Sequence, residues 1–186
     1  MAIQRLAIDG YGQVELNNVT FRRDGRIEAQ CKLDSTSFTK AKPAENGMLY
    51  TVDKTTRTIG LPTAATALPI ALHYSSEHMY DEREDGLKNF CLVPGTFLPR
   101  MGYLTLGDTY TANTISYDAE KFTDDDKLKE ACTVEKLKTT PLYATYHTDG
   151  THVVSDTKPT TSPILKVVKG TTMPDGQFGI KFQCIG

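Results

Sequence analysis

The chain has 186 residues, a formal net charge of −2 and 39 % hydrophobic residues. That length supports a buried core without covalent staples, and the slightly lean apolar share still fits a globular chain. Lysine and arginine are spread along the sequence rather than gathered into a stripe, which excludes nucleic-acid binding driven by bulk charge.

The first residues, "MAIQRLAIDGYGQVEL", hold no continuous apolar segment and no small-residue cleavage site, so no secretory signal is expected and synthesis in a cytoplasm is. No window reaches the length of a membrane-spanning helix. "VTFRRDGRIEAQCKL" reads as a hairpin turning at Asp24-Gly25, with Val19 and Phe21 set against Ile27, Ala29, Cys31 and Leu33. The stretch around 35–47, "STSFTKAKPAENG", is rich in Ser, Thr and Lys and contains Pro43; it is expected as a long loop or arm, a candidate for ordering only against a partner.

"MLYTVDKTTRTIGL" reads as strand, polar turn, strand, and "LPIALHYS" as a short apolar strand. "FCLVPGTFLPRMGYLTLGDTYTANTISY" carries several β formers interrupted by Pro94-Gly95, Pro99 and Gly107, which predicts edge strands or bends. Only "AEKFTDDDKLKEACTVEKLK" has helical character. Asp124, Asp125 and Asp126 suit a first turn, where negative charge meets the positive end of the helix dipole. Leu128 and Ala131–Cys132 keep a 3–4 spacing, and Pro141 stops the pattern, so one or two short helices are expected.

"LYATYHTDGTHVV" predicts a hairpin at Asp149-Gly150, and "ILKVVKGTTMPDGQFGIKFQC" a second with a wider loop. In the latter, Phe178, Ile180, Phe182 and Cys184 fall on alternate residues and share one face. The backbone of that strand must pair inside its own sheet or in a neighbour's. The expected fold is mainly β, a barrel or sandwich of short antiparallel strands with one or two short helices, in a single domain over 1–186.

Chemistry is sparse. Cys31, Cys91, Cys132 and Cys184 are far apart with no C-x-x-C spacing, so they read as reduced, small buried hydrophobes rather than metal ligands. Phosphate-cradling glycine motifs and the G-x-S-x-G nucleophile turn are absent. The best metal candidate is a pair: a two-residue turn at Asp149-Gly150 sets His147 opposite His152, with Asp149 or Asp156 near. Two ligands fall short of a normal site, and the competing assignment is an exposed polar hairpin tip. His73 and His78 form no recognisable motif. "DEREDG" and "TDDDK" supply carboxylates without the order of a calcium loop. Trp is absent, which lowers the expectation of a sugar-binding cleft, and the Tyr and Phe residues read as core or subunit contacts. The residues therefore predict no cofactor, no metal and no catalytic group.

"ENGMLYTVDKTTRTIGLPTAATALPIALHYSSEHMYDEREDGLKNF", then "PGTFLPRMGYLTLGDTYTANTI", resembles small structural proteins encoded beside the major capsid proteins of phages infecting Gram-positive bacteria. The ending "LKVVKGTTMPDGQFGIKFQ" is similar in character, and the order of elements more loosely resembles lambdoid head-decoration proteins. The resemblance runs from about Gly47 onward and brings no catalytic residues. It implies a virion structural protein assembled in the host cytoplasm. Such a capsid decoration protein binds the major capsid protein lattice and forms homo-oligomers, a trimer among the options. It implies no direct contact with nucleic acid or membrane. The predicted N-terminal hairpin departs from the flexible arm of the lambdoid proteins, which keeps a tail tube or head-tail connector subunit as the alternative; a small hydrolase is a third reading. Under the decoration reading Phe97, Leu98, Met101 and Tyr103 are the interface candidates, with a local core cluster as the competing assignment.

Overall fold

The computed structural model describes residues 2–64, 66–75 and 87–186. His78, "DEREDG" and its Asp85-Gly86 step lie outside the described residues. Alternation of apolar residues builds strands throughout. In chain order they begin with β1 (Ile3–Arg5), β2 (Ile27–Glu28), β3 (Lys32–Leu33), β4 (Ala44–Glu45) and β5 (Leu49–Asp53). Next come β6 (Thr58–Gly60), β7 (Ile70–His73), β8 (Cys91–Leu92), β9 (Met101–Gly102), β10 (Thr109–Ala112) and β11 (Ile115–Asp118). Two helices follow, α1 (Asp125–Ala131) and α2 (Val134–Thr139), and then β12 (Tyr143–Tyr146), β13 (His152–Ser155), β14 (Leu165–Thr172) and β15 (Phe178–Cys184).

The larger sheet has the order β1-β11-β13-β12-β14-β15-β10, and a second has the order β2-β9-β7-β5-β6-β3; β4 and β8 pair separately. Most pairings are antiparallel, but β11 with β13 and β3 with β6 are parallel. The arrangement is mainly β and sandwich-like, without a closed barrel among the described residues. One apolar cluster joins the two large sheets: Phe21, Leu49 and Leu72 contribute alongside Tyr110, Ile115, Tyr117, Val154 and Phe182. A second cluster gathers Phe38, Tyr50, Val52, Ile59 and Met101.

The two C-terminal hairpins form as the alternation and turn residues dictate: β12 with β13, and β14 with β15. β15 is internal, flanked by β14 on one side and β10 on the other. Ile180, Phe182 and Cys184 are buried, and Phe178 packs partly buried against the same cluster. The helical stretch becomes α1 and α2. Asp124 is the N-cap of α1, its carboxylate accepting from the Lys127 amide at 2.9 Å, and Leu128 and Cys132 are buried below.

Two expectations are corrected. Residues 16–22 form short 3-10 turns instead of a strand, and Ile27 pairs with Gly102 of β9 rather than with its own upstream segment. Val19 and Phe21 are buried nonetheless, because the turn drops them into the core. Gly102 makes the room: a Cβ there would sit 2.1 Å from the Phe21 ring. Of the loop or arm expected at 35–47, the stretch is a loop and not an arm held away from the chain. It folds onto its own chain, burying Phe38 and Ala44, with Phe38 edge-on to Tyr50 at 5.0 Å between ring centroids.

Candidate functional site

The hairpin between β12 and β13 places His147 and His152 apart. Tyr146, not His147, stands opposite His152. The turn is longer than two residues: the His147 amide donates to the Thr151 carbonyl at 2.8 Å and the Gly150 amide to the His147 carbonyl at 2.9 Å. The Asp149 carboxylate holds this loop, accepting from the Thr151 amide at 2.8 Å and its hydroxyl at 2.7 Å. One step of register moves a side chain to the other face of the sheet, so the two imidazoles diverge. Among the described residues no group of three or more His, Cys, Asp or Glu side chains is placed to hold a metal ion.

His152 is instead a core residue. Its Nε2 lies 2.7 Å from the Tyr110 hydroxyl and its Nδ1 3.0 Å from the Thr114 carbonyl, and its ring stacks on Phe182 at 4.7 Å. His73 repeats the pattern, with Nδ1 at 2.8 Å from the Glu45 carbonyl and Nε2 at 2.9 Å from the Ser75 hydroxyl. A carbonyl only accepts, so Nδ1 carries the proton in each ring and Nε2 accepts from the hydroxyl. Burial pushes both imidazoles down to about 4. Both are neutral at pH 7, with both ring nitrogens already engaged.

A cavity of about 200 Å³ beside β5 has a polar lining that includes Arg5, Glu45, Tyr50 and Asp149. These four groups are already engaged. Arg5 donates to both Glu45 oxygens at 3.1 and 2.5 Å, and the same carboxylate accepts from the Gly12 amide at 2.6 Å. The Tyr50 hydroxyl accepts from the Glu45 amide at 3.1 Å and points at Met48 Sδ at 3.0 Å, while burial raises it far above the usual phenol range. Burial raises the Asp149 carboxyl, but donors from Thr151 and the nearby His147 outweigh it and the net shift is downward. The hydrogen bonds of Arg5, Glu45 and Tyr50 tie β1, β4 and β5 together, while Asp149 is held within its own loop. The set leaves no carboxylate or imidazole in the position of an unengaged general base.

A similar knot fixes the β9–β10 connection. Asp108, nearly buried, accepts from Arg26 at 2.6 and 2.8 Å, from the Thr20 hydroxyl at 2.6 Å and from the Thr105 amide at 2.8 Å. The hydrogen bonds that Arg26 donates to Asp108 raise its guanidinium above its ordinary value. The thiols are equally quiet: all four cysteines are free, and burial pushes Cys132 up to about 12, far from the range of a thiolate nucleophile.

The four interface candidates divide. Phe97 is 75 % exposed and Leu98 53 % exposed, on the loop between β8 and β9. Met101 is 0 % exposed: it stands opposite His73 and Glu28 in the second sheet and belongs to the second apolar cluster. Met101 is thus a core residue and not an interface candidate. Its strand has a neighbour on each side, which Pro94 and Pro99 upstream do not signal. Tyr103 is partly buried against the same cluster, with the Lys54 ammonium 5.3 Å from its ring centre. Leu106, outside the four candidates, is also strongly exposed. It sits in the turn just before Gly107, and an apolar residue beside a glycine in a turn is the signal that was available. The chain finds no match among known protein families, curated proteins or solved structures.

Proposed function

We propose that this chain is a non-catalytic structural protein of a virus particle, a capsid decoration protein that binds the major capsid protein lattice and stabilises the shell. The observation that carries the reading is the contrast at 97–101. Met101 is locked in the core while Phe97 and Leu98, four and three residues away, project into solvent. An aromatic and an aliphatic side chain held up by an anchored loop form the kind of rigid apolar contact that carries binding energy at protein interfaces. The inward-facing histidines, the Arg5–Glu45 pair and the Arg26–Asp108 pair are engaged in holding the fold, which supports a scaffold better than a catalyst. The resemblance from Gly47 onward points to the same class.

Stabilisation then follows from linkage. A protein that binds the assembled lattice and not its dissociated subunits raises the cost of disassembly in proportion to occupancy. Particles purified from cells that make the chain should carry it in many regularly spaced copies, seen by electron imaging with an antibody to the chain. Phe97→Ala with Leu98→Ala should abolish that decoration while the purified variant unfolds at the parent temperature. Finding the parent chain only in the soluble lysate, or equal decoration by the double variant, would overturn the reading. A single ring of copies at one vertex or along a tail would assign it to a connector or tube instead.

A further inference from the structure

The outer face of β14 and β15 and the adjoining face of α2 enclose a groove of about 400 Å³. Its apolar lining includes Val134, Leu137, Pro141 and Val168. Val134 is 43 % exposed and Val168 38 % exposed, although valine in a strand or helix ordinarily turns inward. The exposure of Val168 has a definite cause. Leu165 and Val167 face inward, so strand alternation turns Val168 out with Lys166, and the register shift between Val167 and Lys169 leaves Lys169 on the outer side too, opposite Lys181.

The charged residues that line this groove are both cationic. Lys138 and Lys166 line it. Lys169 and Lys181 face each other directly across β14 and β15, on the same face as the Lys166–Gln183 pair. Like charges directly opposite on a sheet destabilise it. Among the described residues no carboxylate forms an ion pair with Lys138, Lys166, Lys169 or Lys181, whereas Lys127, Lys129 and Lys136 nearby are paired with Asp126 or Glu130. The chain as a whole has a net charge of −2, so this local excess of cations is not a reflection of composition.

We propose that the α2–β14 groove docks an acidic protein segment carrying aliphatic side chains, whose carboxylates complete the four lysines and whose apolar residues cover Val134 and Val168. This surface is distinct from the Phe97–Leu98 loop, and the inference holds whether or not the partner of that loop is a capsid lattice. Apolar lining decides against a nucleic-acid strand, which needs cations and stacking rings but gains nothing from exposed valine.

The test uses the full chain, isotopically labelled, titrated with a synthetic peptide of alternating glutamate and leucine. Amide shifts should concentrate at 134–141, 165–169 and 181–183. Lys138→Glu with Lys166→Glu should weaken binding at least tenfold, and Val168→Ser about tenfold, with thermal unfolding unchanged because these side chains are exposed. Phe97→Ala should leave peptide binding as in the parent, which separates this site from the surface proposed above. The inference is overturned if a glutamate–serine peptide or a short single-stranded DNA binds equally well, or if the shifts lie elsewhere. It is equally overturned if the valine and lysine variants bind as the parent does, or if the groove proves to be covered by a second copy of the chain through self-association lost in Val134→Ser.

Discussion

Acidification from pH 7 to pH 5 should destabilise the fold through its two buried histidines. His73 and His152 have an ordinary imidazole value of 6.5 when unfolded and about 4 when folded, with burial the cause in both. A depressed folded value means that the unfolded chain takes up protons first. The stability these residues contribute is complete above pH 6.5, declines as pH falls and is lost by pH 4. Integrating between pH 7 and pH 5 gives about 2 kcal/mol per histidine and about 4 kcal/mol for both. Carboxylates contribute little in this window, since their unfolded values lie near 4. Urea unfolding at pH 7 and pH 5, followed by circular dichroism, measures the difference. His152→Gln keeps a neutral amide near Tyr110 and should halve the pH dependence, whatever it costs at pH 7. A parent loss below about 1 kcal/mol, or an undiminished loss in the variant, would refute the assignment of neutral, proton-excluding imidazoles.

Met101→Ala should cost about 2–5 kcal/mol, the range for emptying a fully buried site, whereas Phe97→Ala should stay within about 0.5 kcal/mol; paired thermal melts decide. Asp108→Ala removes the acceptor shared by Arg26, the Thr20 hydroxyl and the Thr105 amide, while Arg26 keeps Asp24 and the Tyr103 carbonyl; it should cost about 1–3 kcal/mol by chemical denaturation, with more rapid proteolysis in the 103–109 segment. Deleting residues 178–186 removes the strand between β14 and β10 and should abolish cooperative unfolding altogether, read as loss of a single calorimetric transition.

The hairpins of the C-terminal half were legible because two local signals agreed: apolar residues at every second position and an Asp-Gly step whose glycine takes a positive φ, as Gly150 does at 92° and Gly176 at 86°. At 16–33 the same signals misled. Val19, Phe21 and Ile27 have the spacing of paired strands, but Arg26 is drawn to Asp108, 82 residues away, and no local pattern reports so distant a partner. His147 shows the sensitivity of side-chain placement to turn length: the capture of the Thr151 amide by Asp149 lengthens the loop and separates two residues that a two-residue turn would oppose. The exposure of Val168 was half-written in the sequence, since Val167 and Val168 are consecutive and cannot both face inward on a regular strand. Which one turns out is decided by the phase set at Leu165, which is buried and puts Val167 inward. Nothing local separates Met101 from Phe97; both are large apolar residues flanking Pro99, and only the strands on either side of β9 bury one of them.

The placement of β15 has a consequence for how the molecule comes into being. Tyr110 must wait for Phe182, and Ile3 for Asp118, before either finds its partner across the ladder. Such distant closures are slow to nucleate. On the ribosome, the stretch up to residue 177 would emerge with one flank of β10 unzipped and its aromatic side chains uncovered. The nascent polypeptide would then depend on a holding chaperone, or on rapid translation, through that interval.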